Sequence, residues 1–188
     1  GRRRPGRPRP VRAEMKTIGA KLVELGHDVI MGTRDTGKLR EWLSKVGNKA
    51  RVGSFVDAAA HGEILFNCTA GTASIEALRM AGERQLNAKV LIDIANPLDF
   101  SRGMPPTLYV CNTDSLAEQL RTFPGVKVVK TLNTLNARIM VNPRQLADAL
   151  LRMPAEGMQA HTQYHHSFAH GHASFDKLRS FDKLTMRP

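Results

Sequence analysis

Four apolar runs recur along this chain, each followed by a polar turn and separated from the next by helical stretches: VIM (29–31), ILF (64–66), KVLIDIA (89–95) and VKVVKTL (126–132). Runs dense in Val, Ile and Leu are strands buried on both faces. Helices between them bring such strands side by side in parallel. The expected fold class is therefore α/β, a doubly wound parallel sheet. The turns after the runs are Gly32-Thr33-Arg34, Thr69-Ala70-Gly71, Asn96-Pro97 and Asn133-Thr134. They lie past the carboxyl ends of the strands, the edge on which open α/β sheets bind ligands.

The intervening stretches follow helical spacing. Ile18, Leu22 and Leu25 recur on one side of a first helix, with Val23 beside them, and Gly26 supplies a residue tolerant of left-handed backbone at its end. Residues 35–46 read as a helix with Leu39, Trp42, Leu43 and Val46 on one side, followed by a short strand at 50–52. Ser54 is placed to N-cap a helix through residue 60. Further helices are expected at 74–81, with Ile75 and Leu78 inward, and at 115–123. A last helix is expected from about Asn142-Pro143, with Pro143 in its first position.

The loop after the 29–31 strand bears on cofactor choice. In a dinucleotide-binding sheet, an acid there bonds the ribose hydroxyls of NAD, and an arginine accommodates the extra phosphate of NADP. Thr33, Arg34 and Lys38 offer a hydroxyl, a guanidinium fork and an ammonium. Asp35, the alternative NAD-selecting acid, follows Arg34 past the strand end.

The net charge of +11 suggests nucleic acid until it is divided along the 188 residues. Residues 1–12 carry six arginines and no acid, residues 151–188 carry a net +2, and +3 is left for the middle. The basicity belongs to a short arm rather than to a folded face. That arm, GRRRPGRPRPVR, is expected to be disordered, because it has almost no apolar area to bury and its prolines oppose helix. No apolar run reaches the roughly 18–20 residues of a membrane helix, and no apolar stretch follows the basic start as in a secretory signal. Cys68 and Cys111 lack metal-ligand spacing and read as reduced core thiols of a cytoplasmic protein. His161, His165, His166 and His170 stand in i,i+4 pairs, but no Asp or Glu joins them, and no metal site is assigned. The chain divides into an Arg/Pro-rich arm (1–13), a dinucleotide-binding domain (14–150) and an unpatterned His-rich tail (151–188).

Five phrases together resemble the coenzyme F420-dependent NADP oxidoreductase family: IGAKLVELGHDVIMGTRD (18–35), FNCTAGTASIEAL (66–78), KVLIDIANPLDFSRGMPPTL (89–108), CNTDSLAEQL (111–120) and KVVKTLNTLNARIMVNP (127–143). The likeness covers roughly residues 17–147, and pyrroline-5-carboxylate reductases share the domain type less closely. The resemblance implies a Rossmann-type fold that holds NADP, with coenzyme F420, a deazaflavin, as hydride partner. By position it would set Thr33, Arg34 and Lys38 on the 2′-phosphate. Thr69, Ala70 and Gly71 would lie against the pyrophosphate and the nicotinamide-side ribose. Asn96 and Pro97 would border the nicotinamide, and Asn133 the acceptor pocket. Two stacked cofactors need alignment and exclusion of water more than a protein acid or base, so no catalytic proton donor is named.

Two departures from the family pattern matter. The family opens with a strand and a glycine-rich phosphate loop before its first helix, and here GRRRPGRPRPVRAEMK stands in that place, with no G-x-G-x-x-G anywhere. The sheet is thus expected to lack its first strand and glycine loop, which leaves enzymatic activity open. The 151–188 segment also departs from the strands and helices that shape the family's acceptor site, so the homodimer that the resemblance allows is not assured. The competing readings are a truncated, catalytically inactive family member and, less favoured, nucleic-acid binding through the arginine arm.

Overall fold

A computed structural model describes residues 13–145. The arm, except for Ala13, and the 151–188 segment with its histidines lie outside the described residues. The chain divides into two units after Asn142, and every described strand belongs to the first.

Helix α1 (Ala13–Glu24) already includes Ala13, which the sequence assigns to the arm. It closes as the sequence anticipates. Gly26 takes φ +94°. Its N–H bonds the Val23 carbonyl at 2.9 Å, and the N–H of His27 bonds that of Leu22 at 3.0 Å. These are the paired bonds of a Schellman motif, which satisfy carbonyls that a helix end would otherwise leave open. Leu25 falls beyond the last helical residue and is 61% exposed, so it leaves the inward stripe expected of it. On the inward side, Gly19 lets α1 approach closely: a Cβ there would stand 2.5 Å from the Met31 Cε and 3.2 Å from the Trp42 ring. The Trp42 indole N–H donates to the Lys16 carbonyl at 3.0 Å.

After α1, the strand β1 (Val29–Gly32) pairs in parallel with β2 (Ala50–Gly53), in the register Val29 to Ala50. Between them the expected single helix is broken into a 3₁₀ turn at Thr36–Leu39 and α2 (Arg40–Val46). The cause is local: the Asp35 side chain caps the Gly37 N–H at 3.1 Å and tightens the first turn. Next come α3 (Phe55–His61), β3 (Ile64–Asn67), α4 (Gly71–Ala81), the single-turn α5 (Glu83–Leu86) and β4 (Val90–Asp93). Helix α4 starts three residues earlier than expected. The proline-containing loop carries an antiparallel pair of two-residue strands, β5 (Leu98–Asp99) and β6 (Thr107–Leu108), too short to be seen as periodicity. The unit ends with α6 (Leu116–Arg121), β7 (Lys127–Lys130) and α7 (Ala137–Val141). Thus a short helix ends at the point where the last helix was expected to begin. Arg144 and Gln145 are again helical, and the rest of that expected helix lies outside the described residues.

The parallel strands form two ladders, β1–β2 and β3–β4–β7. Among the described residues β1 bonds only β2, and β3 bonds only β4. Successive residues of β4 serve opposite faces, as a pleated strand requires. Leu91 packs with Leu78, Leu86, Leu116, Leu120 and Phe123, while Ile92 packs with Ile18, Cys68 and Ile94. Fully burying each such side chain contributes about 1.5–3 kcal/mol. A third cluster, Met31, Leu39, Trp42 and Ala50, lies at the β1–β2 ladder, and Met15 packs against both it and the Ile92 cluster. Cys68 is buried as expected, but Cys111 is exposed, because the run around it is a turn after β6 rather than a strand. No helix among the described residues is long and apolar enough to cross a membrane.

Helix α3 shows why a helix starts where it does. The Ser54 hydroxyl accepts from the Asp57 N–H at 3.1 Å, and the Ser54 N–H donates to the Asp57 carboxylate at 2.8 Å, a reciprocal capping box. Hydrogen bonds from the Ser54 hydroxyl and then from its backbone hold the Asp57 carboxyl below its ordinary range. That contribution is present above the unfolded-state value and is lost as pH falls through the lowered one. Ser54→Ala should lower stability at neutral pH by about 1 kcal/mol in urea unfolding, and the deficit should shrink as the solution is acidified.

Candidate functional site

The carboxyl ends of β3, β4 and β7 meet in a polar network that is buried at Asn67, Ser74 and Asp93 and reached by Lys130 from the exposed edge. Asp93, the last residue of β4, is 0% exposed. Its Oδ1 accepts from the Asn67 amide at 2.8 Å and from the Ala95 N–H at 3.1 Å. Its Oδ2 accepts from the Lys130 ammonium at 2.9 Å. Asn67, at the end of β3, donates also to the Ser74 hydroxyl at 3.0 Å and accepts the Thr69 hydroxyl at 2.7 Å. Ser74, on α4, is 0% exposed and lies 2.9 Å from the Thr69 hydroxyl. Among the described residues no buried side-chain N or O lacks a partner. Polar groups this far from water are tolerated only on those terms.

Above this network three loops rim a cavity of about 60 Å³, lined in part by Cys68, Thr69, Ala95, Asn96, Asn133 and Met140. Asn96 and Asn133 bond each other reciprocally. The Asn96 amide donates to the Asn133 carbonyl at 2.7 Å, and the Asn133 amide to the Asn96 side-chain oxygen at 3.0 Å. These two residues, expected to border a ligand from separate turns, are thus brought into contact.

Gly71, the first residue of α4, abuts the same rim. A Cβ on it would stand 2.1 Å from the Asn96 carbonyl oxygen and 2.7 Å from the Pro97 Cα. Only glycine lets the start of α4 reach the 96–97 turn. The Tyr109 hydroxyl donates to the Gly71 carbonyl at 3.1 Å, and the Tyr109 N–H to the Pro97 carbonyl at 3.0 Å. Burial, and then the carboxylates of Asp93 and Asp114, push the Tyr109 phenol above its usual range. Ala70, the N-cap of α4, offers no side-chain cap.

Thr33, Arg34 and Lys38 form a second group at the carboxyl end of β1. The Thr33 N–H continues the ladder to the Gly53 carbonyl at 3.0 Å, and its hydroxyl accepts from the Asp35 N–H at 3.1 Å. Lys38 lies 3.3 Å from the Asp35 carboxylate. Arg34 is exposed and has no hydrogen bond or ion pair among the described residues. Asp35 is engaged with Gly37 and Lys38. No bond joins this group to the cavity rim among the described residues.

Asp93, Asn67, Ser74, Lys130 and Tyr109 were not among the residues expected from sequence. A signal was present for Asp93: an acid inside the apolar run KVLIDIA is buried, and a buried charge requires a partner.

Residues 14–97 match the sequence profile described as NADP oxidoreductase, coenzyme F420-dependent. A candidate F420-dependent NADP-reductase from Arthrobacter sp. FB24 is 48% identical, with a TM-score of 0.66 over 71% of this chain and 64% of that one. Over residues 14–97 this chain is similar to the coenzyme F420-dependent NADP oxidoreductase family. The chain spans about two-thirds of that relative's length, 64%. A hypothetical protein from Sinorhizobium meliloti, 16% identical, shares the fold with a TM-score of 0.58 over 69% of this chain and 62% of that one. None of the curated proteins matches the sequence. The part matched to the F420-dependent NADP oxidoreductase profile runs from α1 to Pro97 and takes in Arg34, Thr69, Gly71 and Asn96, but neither Asn133 nor Lys130.

Gly71→Ala should force the start of α4 away from the 96–97 turn. The expected cost is about 1–3 kcal/mol, the usual range for overpacking, measured by urea unfolding. Gly103→Ala, a glycine with open space around it but a φ of +97°, serves as the comparison for backbone strain without a clash.

Proposed function

We propose that residues 14–150 form an NADP(H)-binding oxidoreductase domain that moves a hydride between the nicotinamide and a deazaflavin of the coenzyme F420 type. The observation that carries the reading is Arg34. It is an exposed guanidinium, without an anion among the described residues, at the carboxyl end of β1, where a 2′-phosphate would be met. Thr33 supplies a hydroxyl beside it. Lys38 is the weaker member, because Asp35 already neutralises it in part.

The rest of the cofactor would run along the loop edge. The first turn of α4, which has no side-chain cap at Ala70, offers backbone N–H groups to the pyrophosphate at Ala70 and Gly71, and Thr69 would lie toward the nicotinamide side. Asn96, Pro97 and Asn133 would border the nicotinamide. The 60 Å³ cavity is room for about two waters. It fits as a recess beneath a ring rather than a pocket that encloses one. The nicotinamide supplies the hydride when bound, and the protein's residues hold, orient and shield it. The sequence has no G-x-G-x-x-G, so the phosphates would rest on α4 alone among the described elements.

Thermal melts with saturating NADPH test the reading, since a ligand that binds only the native state raises Tm. A rise with NADPH and a smaller one with NADH is expected. Arg34→Ala should weaken NADPH binding by roughly 1.5–3 kcal/mol, the worth of a charged hydrogen bond, and leave NADH binding nearly unchanged. Equal losses for the two cofactors would remove Arg34 from the site. The absence of any shift with either would favour a domain that has kept the family's fold without its ligand.

A further inference from the structure

The polar network beneath the cavity does more than fill the interior. Burying a carboxylate is costly, and an apolar side chain of similar volume at the end of β4 would pack without that cost. What Asp93 supplies in return is a fixed spacing between loops. With Lys130 it holds one residue from both sides: the Asp93 carboxylate accepts from the Ala95 N–H at 3.1 Å, and the Lys130 ammonium donates to the Ala95 carbonyl. Ala95 leads directly into Asn96. On the other side Asp93 orients Asn67, whose side-chain oxygen accepts both the N–H of Thr69, at 3.2 Å, and its hydroxyl, at 2.7 Å. The bonds therefore run Lys130–Asp93–Asn67–Thr69, from β7 across β4 to the loop after β3, and a side branch holds the 95–96 peptide.

We propose that Lys130 and Asp93 are positioning residues that set the 68–71 and 94–97 loops in register, so that Thr69 and Asn96 face one bound ring. The ring's identity as nicotinamide rests on the NADP(H)-binding function proposed for the domain. The positioning itself rests on the bonds alone. Among the described residues Lys130 stands on the edge strand of its ladder and belongs to no apolar cluster, so its replacement removes a partner of Asp93 without opening a cavity in the apolar core.

Two measurements on the full chain test this. Amide hydrogen exchange is compared in wild type, Lys130→Met and Lys130→Arg, without ligand. In Lys130→Met, exchange at Thr69 and Ala95 should rise about ten-fold or more, as expected of a local opening, while Met31 and Val52 in the other ladder stay unchanged. Lys130→Arg, which keeps the cation, should restore protection. A uniform rise across both ladders, or no change at Thr69, overturns the proposal, since the pair would then be a general stabiliser or idle. NADPH titration follows on the same proteins. Lys130→Met should weaken binding about ten-fold, and Lys130→Arg should recover most of it. Unaltered binding in Lys130→Met also overturns the proposal. A wild-type protein that binds no NADPH overturns the assignment of the ring, while the exchange pattern still decides whether the pair sets the loops.

Discussion

Strand β4 is covered on both faces and ends in a carboxylate sealed from water, and the remainder of the unit is arranged to meet those two demands. Leu91 and Ile92 need apolar cover on opposite sides. Helices α3, α4 and α6 contribute residues to one cluster, and α1 and α7 to the other. Asp93 needs donors at both oxygens, and it draws them from the neighbouring strand on each side and from the chain just beyond its own end. A strand buried on both faces is thereby tied at its carboxyl end to the loops in which a parallel sheet places its chemistry.

The rim is built by contact as much as by hydrogen bonding. Gly71 brings the start of α4 against the Asn96 carbonyl, and Tyr109 reaches back from beyond β6 to bond both Gly71 and Pro97. Sequence-distant turns become one surface because one residue lacks a side chain and another has a long rigid one. The Thr33–Arg34–Lys38 corner is constructed differently. It depends on a short loop closed by Asp35, and Arg34 there is exposed with no ion pair among the described residues.

Much of this was legible in the residues. The strand at 64–66, the glycine stop after α1, the Ser54 cap and the polar turns after the strands all follow from local rules, and each is present. The family likeness was legible too, from phrases spread over most of the domain. The misses share a cause. The break after Asp35, the two-residue strands β5 and β6, and the exposure of Cys111 depend on single side-chain bonds or on elements shorter than any period. Lone polar residues in strands and helices usually face water, so Lys130 and Ser74 carry no local signal. Only the fold brings Lys130 to Asp93 and Ser74 to Asn67.

Met15 links the β1–β2 ladder to the other through one flexible thioether shared by two apolar clusters. An unbranched, polarizable chain adapts to small relative shifts of its neighbours where a branched residue would resist them. The same economy makes the joint chemically vulnerable: conversion to the sulfoxide would introduce a polar, chiral group at the seam, and one damaged sulfur would loosen both halves together.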